Sequence, residues 1–124
     1  MAEYSEMFMR LTYEVGIITF IKRDGTPRVM MCTRNLKTAA LYHGNMGGLL
    51  NGHDKRCNIR NGNLAVVDLL IGECRSFNAE RVVDEKYFGE VLDKDKLDEI
   101  AVKANKIDKV IKDGMTKIDS MDTL

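Results

Sequence analysis

The chain has 124 residues, of which 44% are apolar and 31% are charged, and its 19 basic side chains are balanced by 19 acidic ones. This length fits one domain with an appendage, and the zero net charge argues against a strong overall electrostatic field for nucleic acid or anionic membranes. No apolar run reaches the roughly 18 residues that a membrane span requires, and three sparse cysteines indicate free thiols in a reducing compartment. We therefore expect a cytoplasmic protein without a membrane partner.

The N-terminal third predicts a short helix followed by a β-hairpin. Residues 5–13 read as the helix, with Ser5 as its N-cap. Residues 15–22 and 28–33 are rich in the β-branched and aromatic residues that favour strands. The Asp24-Gly25 pair between them supplies the backbone conformations of a tight hairpin turn.

A second hairpin is predicted in the middle of the chain. Strands over 64–70 and 74–78 are joined by a turn at 71–73, and residues 80–84 supply a short closing strand. Five short strands suit a small barrel, which removes exposed sheet edges. We expect a mainly β fold with helical appendages, namely a five-stranded SH3/Sm-like barrel over residues 1–90.

A long connection over residues 35–63 separates the two hairpins. Residues 36–42 favour a helical turn, and the remainder is rich in glycine and asparagine. Loops of this length usually carry a function or contain structure of their own. Three cations in the loop, Lys55, Arg56 and Arg60, are candidates for binding an anion or a nucleic-acid backbone. A solvated loop without a ligand is the alternative.

The C-terminal segment, 91–124, predicts one long amphipathic helix with a heptad seam. Its apolar positions alternate at spacings of three and four residues, which is the a/d pattern of a coiled coil. The seam residues are Leu97, Ile100, Ala104, Ile107, Ile111, Ile118 and Met121, with Gly114 interrupting the pattern. Self-association into a homo-oligomer is the first interpretation, since the seam exceeds what a small barrel covers. Docking on the chain's own barrel and binding of a partner helix are the alternatives.

The two hairpins also carry a family resemblance. The segments ITFIKRDGTPRVMMCT (18–33) and LAVVDLLIGECRSFNAERVVD (64–84) resemble a family of small phage proteins with an Sm-like SH3 β-barrel, related to WYL domains. The resemblance implies a phage origin and this barrel fold. It also implies a nucleic-acid or nucleotide ligand, because Arg75, Ser76, Phe77 and Arg81 align with the closing segment of WYL domains.

The closing hairpin has two opposed interpretations. Arg75 and Arg81 flank Phe77, so two guanidinium groups beside an aromatic ring are candidates for holding a phosphate and stacking a base. Alternatively, Phe77 belongs to the core and the arginines pair with Asp68 and Glu80 on the surface.

The sequence offers little for catalysis or metal binding. His53 and Cys57 form one half of a zinc-like spacing, but no second half accompanies them, and nothing orients the histidine as a base. We expect neither enzyme activity, nor a metal, nor a cofactor. The leading interpretation is an oligomeric phage accessory protein that acts by binding a host protein. The alternative is a nucleic-acid or nucleotide-binding module.

Overall fold

A computed structural model describes residues 3–44 and 57–122, with side chains as far as Gly114. In chain order the elements are α1 (Tyr4–Tyr13), β1 (Gly16–Ile21), β2 (Pro27–Thr33), α2 (Leu36–His43), β3 (Asn63–Asp68), β4 (Glu73–Asn78), a 3₁₀ turn (Ala79–Arg81), β5 (Val82–Tyr87) and α3 (Lys94–Asp122). The short N-terminal helix, the five strands and the long C-terminal helix are therefore confirmed. The helices contribute enough of the chain to make the fold mixed α/β, so the prediction of a mainly β protein was wrong.

The five strands form one antiparallel sheet in the order β4-β3-β2-β1-β5. Both predicted hairpin turns are present, and each contains a glycine with positive φ, 87° at Gly25 and 71° at Gly72. The Asp24 carboxylate stabilises the first turn by accepting a hydrogen bond of 3.0 Å from the backbone N–H of Thr26. Between the two hairpins, β2 pairs with β3 at only two positions, Cys32 with Asp68 and Thr33 with Val67.

The sheet is strongly curled. In a flat sheet, β1 and β4 would lie about 14 Å apart, because each strand-to-strand step is about 4.8 Å. Instead, the rings of Phe20 on β1 and Phe77 on β4 stack with their centroids 5.5 Å apart. The strand order nevertheless ends at β4 and β5, so among the described residues the sheet is not closed and the predicted complete barrel is not formed. Packing of aromatic side chains, rather than edge-to-edge hydrogen bonding, brings the first and fourth strands together.

Both faces of β1 and β3 are buried, which explains why these two strands are almost continuously apolar, whereas β4 and β5 carry exposed polar side chains. Successive side chains of a strand point to opposite faces. Ile17 of β1 accordingly lies in the cluster under α3, whereas Ile18 lies in the cluster under α1. The same alternation separates Met31 from Met30 on β2. Such strands differ from the alternating polar and apolar pattern of a sheet with one solvated face.

The first half of α3 packs on the sheet, chiefly across β2. Leu97, Ile100 and Ala104 of the predicted seam are buried in the same cluster as Ile17 and Met31. These three residues therefore belong to the chain's own core, as the docking alternative proposed, and are not available to a second helix. Within 3–44 and 57–122, no helix combines the length and the hydropathy of a transmembrane segment.

Helix α2 occupies the start of the predicted loop and ties it to α3. The Asn35 side chain caps α2 by accepting a hydrogen bond of 3.1 Å from the N–H of Lys37. The Thr38 hydroxyl donates to the carbonyl of Val91 at 2.7 Å, just before α3 begins. The Tyr42 hydroxyl donates to the Asp98 carboxylate, and burial together with this bond raises the pKa of Tyr42 to about 12.

Candidate functional site

A cleft of about 520 Å³ lies where the curled sheet brings the β1–β2 hairpin close to β4 and the 3₁₀ turn. Its neutral polar wall consists of Asn63, Ser76 and Asn78. Five cations also line it: Lys22, Arg23, Arg28, Arg75 and Arg81. None of the described residues that line the cleft is acidic. A concave surface with cations on several sides and no lining carboxylate concentrates positive potential.

Carboxylates approach the cleft from outside and pair with some of its cations. Arg75 contacts Glu73 at 2.7 Å, and both side chains are exposed. Lys22 lies 3.9 Å from Asp24 within the hairpin turn. Because exposed pairs contribute about 0–1 kcal/mol, a ligand with stronger acceptors is able to exchange for these carboxylates.

Arg28 differs from the other cations because its partner is buried. Its guanidinium donates a hydrogen bond of 3.2 Å to Asp68, whose side chain is only 5% exposed. The other carboxylate oxygen of Asp68 accepts from the N–H of Leu70 at 3.1 Å. Arg28 is therefore held in place by the fold and contributes a fixed rather than an exchangeable charge.

Arg23 and Arg81 carry the charge that the fold leaves uncompensated. Within the described parts of the chain, neither guanidinium forms an ion pair with a carboxylate. Arg81 instead donates a hydrogen bond of 3.1 Å to the carbonyl of Lys22, which joins the 3₁₀ turn to the hairpin. The bond orients Arg81 without neutralising it, since a carbonyl carries no net charge.

The cleft does not offer an aromatic face for stacking. Phe77 is 4% exposed and Phe20 is 7% exposed, because each ring covers the other in the core. The interpretation of Phe77 as a core residue is therefore the one that the structure supports. Base stacking usually accompanies single-strand binding, so a ligand of this cleft is held through charge and hydrogen bonds.

The structure brings together part of the predicted ligand-binding set. Arg75, Ser76, Phe77 and Arg81 all line the cleft. Arg60 is exposed in the turn that precedes β3 and is not among the lining residues. Lys55 and Arg56 lie outside the described residues.

Three cations of the cleft were missed from the sequence: Lys22, Arg23 and Arg28. They flank the Asp24-Gly25 turn, a segment that predicted only a hairpin. Their signal is a run of basic residues on both sides of a turn. This run indicates a ligand site only when the 3₁₀ turn and β5 are known to return the chain to β1, which brings Arg81 beside the hairpin.

The far end of the predicted seam has a different environment from its buried start. Ile107 is partly buried against the core cluster, and Ile111 is half-buried. Val110 beside it is 69% exposed. Ile118 and Met121 lie beyond the residues whose side chains are described.

The three cysteines lie in different settings. Cys32 and Cys74 are buried, and burial raises the pKa of the Cys32 thiol. The Cys57 sulfur accepts from the N–H of Ala65 at 3.2 Å and from the Arg34 guanidinium at 3.1 Å. The predicted companion of Cys57, His53, lies outside the described residues.

Comparisons with known proteins leave the cleft to be judged on its own chemistry. No protein-family model, no curated protein and no solved structure matches this chain. The resemblance of the two hairpins to small phage proteins stays a prediction. What the cleft offers a ligand is five cations and three neutral polar side chains, with no lining carboxylate among the described residues.

Proposed function

We propose that this chain is a non-catalytic module that binds the phosphate backbone of a nucleic acid in its cationic cleft. The observation that carries the proposal is the convergence of cations from two hairpins and the 3₁₀ turn, with Arg23 and Arg81 left without a carboxylate partner among the described residues. Guanidinium groups match phosphate oxygens in pairs of hydrogen bonds. Ser76 and Asn63 add neutral polar groups beside them.

The chemistry of the cleft favours backbone binding without sequence preference. Phosphate contacts position a nucleic acid but carry no direct sequence information. With both lining phenylalanines buried, stacking adds little. We therefore expect little discrimination between sequences and a strong dependence on salt, because phosphate contacts release counterions.

The proposal also includes the barrel type, the phage origin and the host partner that the sequence suggested. Strong curling of a five-stranded antiparallel sheet supports an incomplete SH3/Sm-like barrel, and the hairpin resemblance supports a phage accessory protein acting in the host cytoplasm. A host-protein partner, which was preferred because the net charge of the chain is zero, stays a prediction. Residues 45–56 of the predicted loop lie outside the described parts of the chain.

The proposal is tested by titrating short labelled DNA and RNA, single-stranded and duplex, and measuring fluorescence polarisation at several salt concentrations. For two to five phosphate contacts, the logarithm of the affinity for duplex DNA should fall with the logarithm of salt with a slope of about −2 to −4.5. The Arg75→Gln/Arg81→Gln variant should bind at least about tenfold more weakly, because charged hydrogen bonds contribute about 1.5–3 kcal/mol.

A matched variant controls for net charge. Lys94→Gln/Lys109→Gln removes the same two charges from exposed positions of α3 that do not line the cleft, so its affinity should stay within about twofold of the parent. Equal weakening by both double variants would mean that binding follows net charge and not the cleft. No binding at low salt would overturn the proposal outright.

Self-association through the far end of α3 is a second and separate proposal. The helix is about 44 Å long at 1.5 Å per residue, whereas strands of six or seven residues span about 20–23 Å, so the sheet covers only part of it. Val110 and Ile111 carry apolar surface beyond the docked half. The seam left over is about two heptads, fewer than the three to four of a stable coiled coil, so the association should be weak.

Sedimentation of the full chain over a range of concentrations measures this association. The average mass should rise with concentration, and Ile111→Lys should abolish the rise without unfolding the sheet. Val102→Lys, at an exposed position of the docked half, is the control and should behave as the parent. A parent chain that stays monomeric at the highest concentrations would exclude the seam as an interface.

A further inference from the structure

A second groove, of about 380 Å³, lies between α3 and strand β5, away from the cationic cleft. Its apolar part is formed by Ile17, Phe88 and Ile107, and its polar part consists of three lysines. Lys86 comes from β5, whereas Lys103 and Lys106 come from α3. None of the described residues lining this groove is acidic.

The groove exists because α3 covers the sheet unevenly. The helix packs chiefly on β2, and β1 separates β2 from β5 in the sheet. Lys86 is the cross-strand neighbour of Ile17, so it stands beside the core cluster at the margin that α3 leaves open. Phe88 and Ile107 pack against this cluster and stay only partly buried.

The aromatic wall of the groove is fixed by backbone hydrogen bonds. The N–H of Phe88 donates to the carbonyl of Val15 at 3.0 Å, and the N–H of Val15 donates to the carbonyl of Gly89 at 3.1 Å. The ammonium of Lys103 lies 5.3 Å from the centroid of the Phe88 ring, within the range of a cation–π contact. The charge of Lys103 is thus already positioned against the aromatic wall of the groove.

The three lysines of the groove carry charges that no described carboxylate pairs with. Within the described residues none of them forms an ion pair. Lys103 and Lys106 are three positions apart on one helix, a spacing at which like charges face each other and repel. An anion bound between them would relieve this repulsion.

We infer that this groove binds a small amphiphilic anion, meaning a compact alkyl or aryl group that carries a phosphate or carboxylate head. The apolar group would lie against Phe88 and Ile107, and the head would bind among Lys86, Lys103 and Lys106. The volume falls at the lower end of the roughly 300–1,000 Å³ typical of small-molecule sites, and an apolar lining with a few polar groups is their usual chemistry. A nucleic-acid backbone has no alkyl or aryl group to place against Phe88 and Ile107. We therefore expect this groove to take a different ligand from the cationic cleft.

The test is a titration of the isotopically labelled full chain with octyl phosphate, followed by amide chemical shifts in NMR spectra. Saturable shifts should centre on Ile17, Phe88, Lys103 and Ile107. Octanoate should produce the same pattern if any anionic head suffices, whereas a response to octyl phosphate alone would assign the site to phosphates. Inorganic phosphate and octan-1-ol, each carrying only half of the chemistry, should bind at least about tenfold more weakly, a difference of about 1.4 kcal/mol.

Two double variants test whether the lysines bind the anionic head or whether their aliphatic chains only cover apolar surface. Lys103→Gln/Lys106→Gln should weaken octyl phosphate at least about tenfold, since two charged hydrogen-bond donors are lost. Lys96→Gln/Lys109→Gln, which changes the same charge elsewhere on α3, should leave the affinity within about twofold. Helix α1 also exposes apolar side chains, Met9 and Tyr13, which offer a competing surface for an alkyl chain. Shifts centred on these two residues, equal binding of octan-1-ol and octyl phosphate, or no saturable shift would each overturn the inference.

Discussion

Replacing Leu97 with alanine should lower the free energy of unfolding by about 3 kcal/mol, within the range of 2–5 kcal/mol typical of buried leucines. Leu97 is 0% exposed and packs in the cluster that joins α3 to the sheet. The substitution removes apolar contacts and leaves a cavity that close-packed neighbours fill only in part. Urea unfolding followed by circular dichroism measures the change, with the slope of the transition checked for constancy.

The control for this experiment is Val102→Ala, at an exposed position on the other side of the same helix. It should change the free energy of unfolding by no more than about 0.5 kcal/mol. If Leu97→Ala were equally mild, α3 would be an appendage that does not share the core. The docking of the first half of the seam, and the groove beside β5 that depends on it, would then both be wrong.

The ambiguity over the seam has a physical origin. An apolar stripe at spacings of three and four residues fits equally well against a second helix and against the apolar face of a sheet. Leu97 and Ile107 are therefore indistinguishable in the sequence, although one is fully buried and the other marks the limit of the docked half. Only the position of β2 under the helix decides where docking ends, and that position depends on contacts distant in sequence.

Local signals were sufficient for the hairpins and insufficient for the closure of the sheet. Gly25 and Gly72 each stand between two predicted strands, so turn chemistry and strand propensity indicate the same structure. The curl depends on Phe20 meeting Phe77, which belong to different hairpins. No nearest-neighbour pattern encodes that contact, and five short strands fit a closed barrel and an open curled sheet equally well.

Only part of the cationic cleft could be predicted from the sequence, because its remaining residues come together through contacts between distant segments. Arg75 and Arg81 could be selected because they flank an aromatic residue within one short segment. Lys22 and Arg23 join them through the hydrogen bond from Arg81 to the carbonyl of Lys22 and the return of β5 to β1. Burial of Phe77 then shifts the expected ligand from a stacked base to a phosphate backbone.

The second large effect is expected at Arg28, the cleft cation with a buried partner. Arg28→Met should lower the free energy of unfolding by about 2–3 kcal/mol, somewhat below the 3–5 kcal/mol of fully buried pairs because Arg28 itself is partly exposed. The loss arises because the buried carboxylate of Asp68 keeps its bond from the N–H of Leu70 but loses its counter-charge. Asp68→Asn in the same chain should recover most of it, since the amide oxygen still accepts from Leu70 and no charge is left buried.

A double-mutant cycle measured by urea unfolding isolates this pair, with an expected coupling of about 2 kcal/mol. Arg75→Gln should change stability by less than about 1 kcal/mol, because the pair of Arg75 and Glu73 is exposed. The contrast divides the cleft into a cation that the fold requires and cations that a ligand is free to engage. A coupling near zero at Arg28 would place its pair with Asp68 among the solvent-screened ones, and Arg28 would then count with Arg75 and Arg81 as a charge available to phosphate.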